Sequence, residues 1–118
     1  MSMVDTPLTE VLARSLDVNA FRQQLIAANM ANIDTPGYRT RDVNFQQELE
    51  RASGPLFQAD FSPLARQVQG LIERPDGNNV NIDRESLLLA ETQLRYSVSV
   101  EVLRSEFRRL ATAINEGK

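Results

Sequence analysis

The sequence predicts a mainly α protein, with two long N- and C-terminal helices forming a coiled-coil-like bundle joined by a small, irregular, loop-rich insert. Three observations carry this. Leu8 to Ile33 contains neither proline nor glycine and repeats apolar residues at helical spacing. Asp83 to Asn115 sustains a heptad-like apolar stripe. Between them, Asp34 to Ile82 holds four of the five prolines and every glycine but Gly117, the residues that punctuate helices. The division that follows is 1–34 plus 83–118 for a helical assembly unit and 35–82 for the insert.

In the first helix, Val11, Arg14, Val18, Phe21, Leu25, Ala28 and Asn32 step by three and four. A second track, Leu12, Leu16, Asn19, Gln23, Ile26, Met30 and Ile33, runs beside it. Two adjacent tracks make a face broader than a two-stranded seam. Thr6 offers an N-cap, Pro7 suits the first helical position, and Glu10 favours the positive end of the helix dipole.

In the insert, Asp34-Thr35-Pro36-Gly37-Tyr38 reads as a turn, with proline fixing φ and glycine accepting a positive one. Arg39 to Phe45 predicts a short extended piece, and Phe45 to Ala52 one or two helical turns stopped by Ser53-Gly54-Pro55. Leu56 to Ile72 has no sustained period. Arg74-Pro75-Asp76-Gly77-Asn78-Asn79 is a strong turn signal, and Val80-Asn81-Ile82 predicts a short strand after it.

The last helix opens with Asp83 as N-cap and Glu85 in the first turn. Its packing track is Leu89, Gln93, Tyr96, Val100, Leu103, Phe107, Leu110 and Ile114, about 38 Å long at ~1.5 Å per residue. Leu87, Leu94, Val98 and Val102 form a second track, and Gly117 stands where a terminal glycine ends a helix. An antiparallel pair covers one face of each helix, and an uncovered stripe this long forgoes many kcal/mol of burial. Other chains are expected to cover it.

Composition narrows the chemistry. The 118 residues contain no histidine, cysteine or tryptophan. Thiol nucleophiles, His-based triads and His/Cys zinc sites therefore lack their obligatory residue, and no cofactor is expected. Net charge is −3, twelve of the thirteen basic residues are arginine, and no basic run exists, so the footprint of a nucleic-acid binder is missing. Apolar runs such as Leu25–Ala28 and Leu87–Ala90 fall far short of a membrane span. The N-terminus lacks the basic, then apolar, pattern of a cleaved signal. Glu48 and Glu50 point to different sides of a helix, and the acids at 83 and 85 are explained by the dipole. No catalytic site is predicted.

Residues 22–45, with Asn29 and Asn32 leading into Thr35-Pro36-Gly37-Tyr38 and then Arg41-Asp42-Val43 and Phe45, resemble the N-terminal signature of the bacterial flagellar axial proteins, the rod and hook subunits. The run after the tyrosine is most similar to the proximal-rod members. Asp76 to Glu85, followed by Gln93-Leu94-Arg95-Tyr96, Val102-Leu103 and Phe107, resembles the C-terminal signature of the same family. The resemblance implies a structural subunit of the periplasmic rod, exported without a cleaved signal through the flagellar type III apparatus. It implies polymerisation into the drive shaft between membrane ring and export gate on one side and distal rod and hook on the other. Its partners would be copies of itself, other rod proteins and gate or ring components, with no small-molecule substrate.

The residues leave some readings open. Asn29 and Asn32 cap the helix end and bond the following loop, or they fix register between subunits. Tyr38 completes the turn, or also touches a neighbour. Arg41 and Asp42 form a solvated pair, or one bridging subunits. The whole chain could instead be a helical adaptor or secretion chaperone that binds partner helices through its exposed stripes. Val18, Phe21 and Leu25, with Leu89, Tyr96, Val100, Leu103, Phe107, Leu110 and Ile114, are the expected helix-packing positions.

Overall fold

Helix-forming sequence at both ends gives the chain its length. The computed structural model describes residues 7–53 and 62–117, without the side chains of residues 7, 52 and 53. In chain order the elements are α1 (Pro7–Ala31), β1 (Arg41–Asp42), α2 (Phe45–Ser53), β2 (Arg66–Gln67) and α3 (Ile82–Glu116). The molecule measures 68 × 28 × 18 Å. Its exposed surface of 7791 Å² exceeds the ~6,500 Å² of a compact chain of this mass, so a large part of what a globule would bury remains outside. Among the described residues, no helix is long and apolar enough to cross a membrane.

α1 and α3 pack antiparallel. Asn29 meets Glu85 at one end of the contact and Ser15 meets Ser99 further along, equal steps on the two helices. Pro7 therefore lies level with about residue 107, and the last turns of α3 run past the start of α1. Polar residues recur at heptad spacing along the seam, Ser15 and Asn29 of α1 meeting Ser99 and Glu85 of α3, with Asn19, Ile26 and Thr92 fully buried along it. The side chains of Asn19 and Thr92 are fully buried and find no hydrogen-bond partner among the described residues. Such orphaned groups subtract from stability.

The apolar core lies beside this seam. Val18 and Leu25 of α1 bury against Val43, with Phe21, Phe45 and Ala65 around them. β1 and β2 form a two-residue antiparallel ladder, Arg41 opposite Gln67 and Asp42 opposite Arg66, which ties the extended piece to the far side of the insert. The Arg95 guanidinium sits over the Phe45 ring, 4.9 Å from its centroid, and joins α2 to α3.

Three sequence expectations change. Val80-Asn81-Ile82 is not a strand, because α3 already begins at Ile82. The N-cap is Asn81 rather than Asp83: its extended backbone lets Oδ1 accept the Arg84 N–H at 3.1 Å. Asp83 lies inside the first turn, where the dipole alone favours an acid. Gly117 does end α3, but with φ of −83° and its N–H donated to the Ala113 carbonyl, so no left-handed cap forms. Thr6, Gly54 and Pro55, predicted as cap and stop, lie outside the described residues.

Candidate functional site: a polar clip and an uncovered helix

The signature residues converge where the end of α1 meets the start of α3. Asn29 is fully buried, and its amide is saturated. Nδ2 donates to the Arg41 carbonyl at 2.8 Å and to Glu85 Oε1 at 3.0 Å. Oδ1 accepts the Tyr38 hydroxyl at 3.0 Å and the Arg41 N–H at 3.1 Å. One side chain thus joins both long helices and the strand between them. Tyr38 is half-buried, and that burial raises its phenol above the ordinary range against the opposing charge of Arg41.

The charges form a second layer. Arg22 grips Asp42 with both arms of its fork, Nε to Oδ1 at 3.0 Å and Nη2 to Oδ2 at 3.1 Å. Arg84 reaches the same carboxylate at 2.8 Å and, through Nη1, Glu85 at 2.8 Å. Burial alone would raise the Asp42 carboxyl. The bonds from Arg22 and the Val43 N–H, with the charge of Arg22 and the bond from Arg84, outweigh it and hold the group below the usual aspartate range. Glu85 goes the other way. Its burial raises the carboxyl above the usual glutamate range despite the charge of Arg84 and the bond from Asn29, and Oε2 has no partner among the described residues.

The solvated Arg41–Asp42 pair does not form. Consecutive residues of a strand point to opposite sides: Arg41 is exposed, and Asp42 turns inward to Arg22 and Arg84.

The two turns clip together below this network. Pro36 and Gly37 form the predicted turn, with Gly37 at φ 74° and the Tyr38 N–H on the Thr35 carbonyl. The Gly37 N–H bonds the Asp76 carbonyl at 2.8 Å. A Cβ on Gly77, itself at φ 85°, would come within 3.3 Å of the Gly37 Cα, so the close approach requires a glycine there. Buried Asn78 donates to the Asn32 and Thr35 carbonyls, Arg74 to the Ile33 carbonyl, and Asn32 back to the Ala28 carbonyl. These bonds satisfy carbonyls that the end of α1 leaves orphaned. Asn79 Oδ1 accepts the Thr40 N–H at 2.6 Å. Thr35, Pro36 and Gly37 stay exposed, while Asn32 and Phe45 are half-buried.

Along α3 the arrangement inverts. Leu89, Val100, Leu103 and Leu110 are half-buried, but Tyr96, Phe107 and Ile114 are 39%, 43% and 41% exposed. On the back of the helix Leu87, Leu94, Val98 and Val102 stand open. Sequence reasoning placed Glu85 only in a dipole role and missed Arg22, Arg84, Asn78 and Asn79. For Arg22 and Glu85 the polar residues recurring every seven positions on both helices were the available signal.

A helical hairpin clipped at one end, with a helix apolar on two opposite sides and covered on one, is built as an interaction module. The comparisons with known proteins give it a family. The flagellar basal body rod protein FlgB of Salmonella typhimurium is 32% identical over 123 residues, covering 87% of this chain and 89% of that protein. The FlgB of Bacillus subtilis is 32% identical over 119 residues, with 91% and 92% covered. That of Cereibacter sphaeroides is 36% identical over 117 residues, with 88% and 91% covered. No protein-family model matches the chain. The chain belongs to the FlgB family of flagellar basal body rod proteins.

Proposed function

We propose that the chain is a non-catalytic structural subunit of the flagellar basal body rod, standing at its membrane-proximal end and polymerising with copies of itself and other rod proteins. The observation that carries this reading is the uncovered apolar surface of α3 in a chain of the FlgB family. A helix apolar on opposite sides is stable in water only when other helices enclose it. Residues 1–34 and 83–118 serve as the assembly unit, and 35–82 as the insert that fixes how the two helices leave their junction. The buried bonds of Asn29 and Asp42 make that junction stiff, which suits a shaft that carries torque. The signature residues from Asn29 to Phe45 act in assembly through this junction, by setting the angle and register of the two helices. Export through the flagellar apparatus without a cleaved signal is part of the same reading.

Deleting the gene should leave cells with membrane rings but no rod, hook or filament, and the intact gene supplied in trans should restore them. Rods that persist in the deletion strain would overturn the reading.

A further inference from the structure

Resting on the rod-subunit reading, we propose that the outer face of the insert is an intersubunit contact. Arg41 pairs there with a carboxylate of a neighbouring rod chain, and Ile72 enters an apolar recess of that chain. Thr40 is fully buried between Arg39 and Arg41, so the two arginines stand on the same outer side of the extended piece. Arg39 is neutralised by Glu73 at 3.3 Å and also donates to the Gly77 carbonyl. Arg41 is exposed, and its guanidinium joins no ion pair among the described residues. Its backbone is held by buried Asn29 through both the N–H and the carbonyl, so an unpaired fork projects from backbone that cannot shift without breaking the clip. Ile72 directly precedes Glu73 and is 91% exposed, the most open of the large apolar side chains described. Its backbone is fixed too. Gly70 turns the chain before it at φ 81°. After it the Arg74 N–H bonds the Asn78 carbonyl at 2.8 Å, and the Arg74 guanidinium bonds the Val80 carbonyl at 3.0 Å. Anchors held in place yet left open lose little freedom on binding, which is what an interface hot spot requires.

Chemistry selects the partner. With Arg39 neutralised, this side of the insert offers one free positive charge, too few for a nucleic acid or an anionic membrane, each of which is held by several cations together. A single guanidinium fork matches a single carboxylate bidentately. Gln67, opposite Arg41 in the ladder and exposed, adds a donor and an acceptor at its edge. An apolar anchor, a charge-assisted pair and a polar rim together are the anatomy of a protein–protein interface. Carboxylates of the right kind exist on this chain itself: it carries sixteen acidic residues against thirteen basic, and Asp34 and Asp83 are exposed and join no ion pair among the described residues. A second copy and another rod protein are therefore the two sources of the carboxylate.

Arg41→Glu, Arg41→Lys and Ile72→Ser each replace the chromosomal copy, and the same full-length variants are purified for urea unfolding. Their urea midpoints should match the wild type, because both side chains point away from the chain's own contacts. Arg41→Glu and Ile72→Ser should nonetheless cut the swimming diameter in soft agar several-fold. Arg41→Lys should fall between them and the wild type, since an ammonium keeps the charge but not the fork. A photoreactive benzoylphenylalanine in place of Ile72, activated in cells, should join this chain covalently to a rod chain. Peptide masses tell the two sources apart: a second copy of this chain or a different rod protein. Wild-type swimming by Arg41→Glu, or no adduct with any rod chain, would overturn the contact. A urea midpoint that falls together with motility would overturn it too, because the role would then lie inside the chain. If the intact gene still restored rods to the deletion strain, the rod role would stand and only this contact would fall.

Discussion

The two ends of the hairpin are built on opposite principles. Where α1 meets α3's first turn, polar side chains are buried and almost all paired: Asn29 makes four hydrogen bonds, and Asp42 is held by two arginines and a backbone N–H. At the other end, apolar side chains are exposed and charges form local pairs one turn apart, such as Arg104–Glu101 and Arg109–Glu106, each worth ~0.3–0.5 kcal/mol. Between the two ends buried polar groups are underpaired, Asn19 and Thr92 having no partner among the described residues. Free energy that fixes the chain's own geometry is concentrated at the clip, and surface that can reward a neighbour is concentrated on α3. A subunit that must keep one junction rigid yet gain most of its burial on assembly needs that separation.

Breaking the clip should have the largest effect on the isolated chain. Asn29→Ala leaves Tyr38, Glu85 and the Arg41 backbone without their shared partner. It should cost about 3 kcal/mol, since each buried group left unpaired costs ~1–3 kcal/mol, measured as a fall in the urea midpoint. Arg22→Met removes the bidentate hold on Asp42 while Arg84 remains, and should cost about 2 kcal/mol, below the ~3–5 kcal/mol of a fully buried broken pair.

The turns come next. Gly77→Ala should destabilise by about 2 kcal/mol and Gly37→Ala by about 1 kcal/mol. Both force a side chain into left-handed backbone, but only the first also drives a Cβ against the facing turn.

The two carboxylates sharpen the comparison through pH. Asp42, held low, gives stability that is complete above its unfolded-state pKa of ~3.9 and is lost as pH falls through the lower folded value. Glu85, held high, acts in the opposite sense: the protein loses stability as pH rises from the unfolded-state pKa of ~4.3 through the higher folded value. Glu85→Gln keeps an acceptor for Asn29 and removes that loss. Urea midpoints from pH 3 to 8 should show the variant gaining on the wild type as pH rises past about 4. A parallel profile would mean that Glu85 does not titrate abnormally.

Changes at the open end should be nearly silent in the lone chain. Leu94→Ser and Ile114→Ser should move stability by less than ~0.5 kcal/mol, as exposed substitutions do. Both should abolish motility when each replaces the chromosomal copy, scored in soft agar. Full motility would show that this surface is not used.

Much of this plan was readable along the chain, because its signals are local. Pro7 at the start of α1, the Pro36-Gly37 turn, the Asp76-Gly77 turn and the end of α3 at Gly117 all depend on backbone preferences of a few consecutive residues. So does α2, whose start at Phe45 matches the expected one. The clip was not readable. Asp42 and Arg41 are neighbours in sequence but face opposite ways. The true partners of Asp42 stand 20 and 42 positions away, a distance that no spacing rule reaches. The displacement of the N-cap from Asp83 to Asn81 has the same origin, because buried Asn79 and Val80 carry the chain straight from the turn into α3. The α3 track was readable as apolar, but not which of its members this chain would leave outside.

The sequence by itself determined two helices, their lengths, the turns between them and an excess of apolar surface, since periodicity and φ preferences act over a few residues at a time. Only the tertiary structure decided that polar pairs enter the inner seam, that Asn29 and Asp42 are the joints, and that α3 turns an apolar back to solvent. Those outcomes depend on which faces meet once the hairpin closes, and a buried donor accepts whichever acceptor the fold brings within reach.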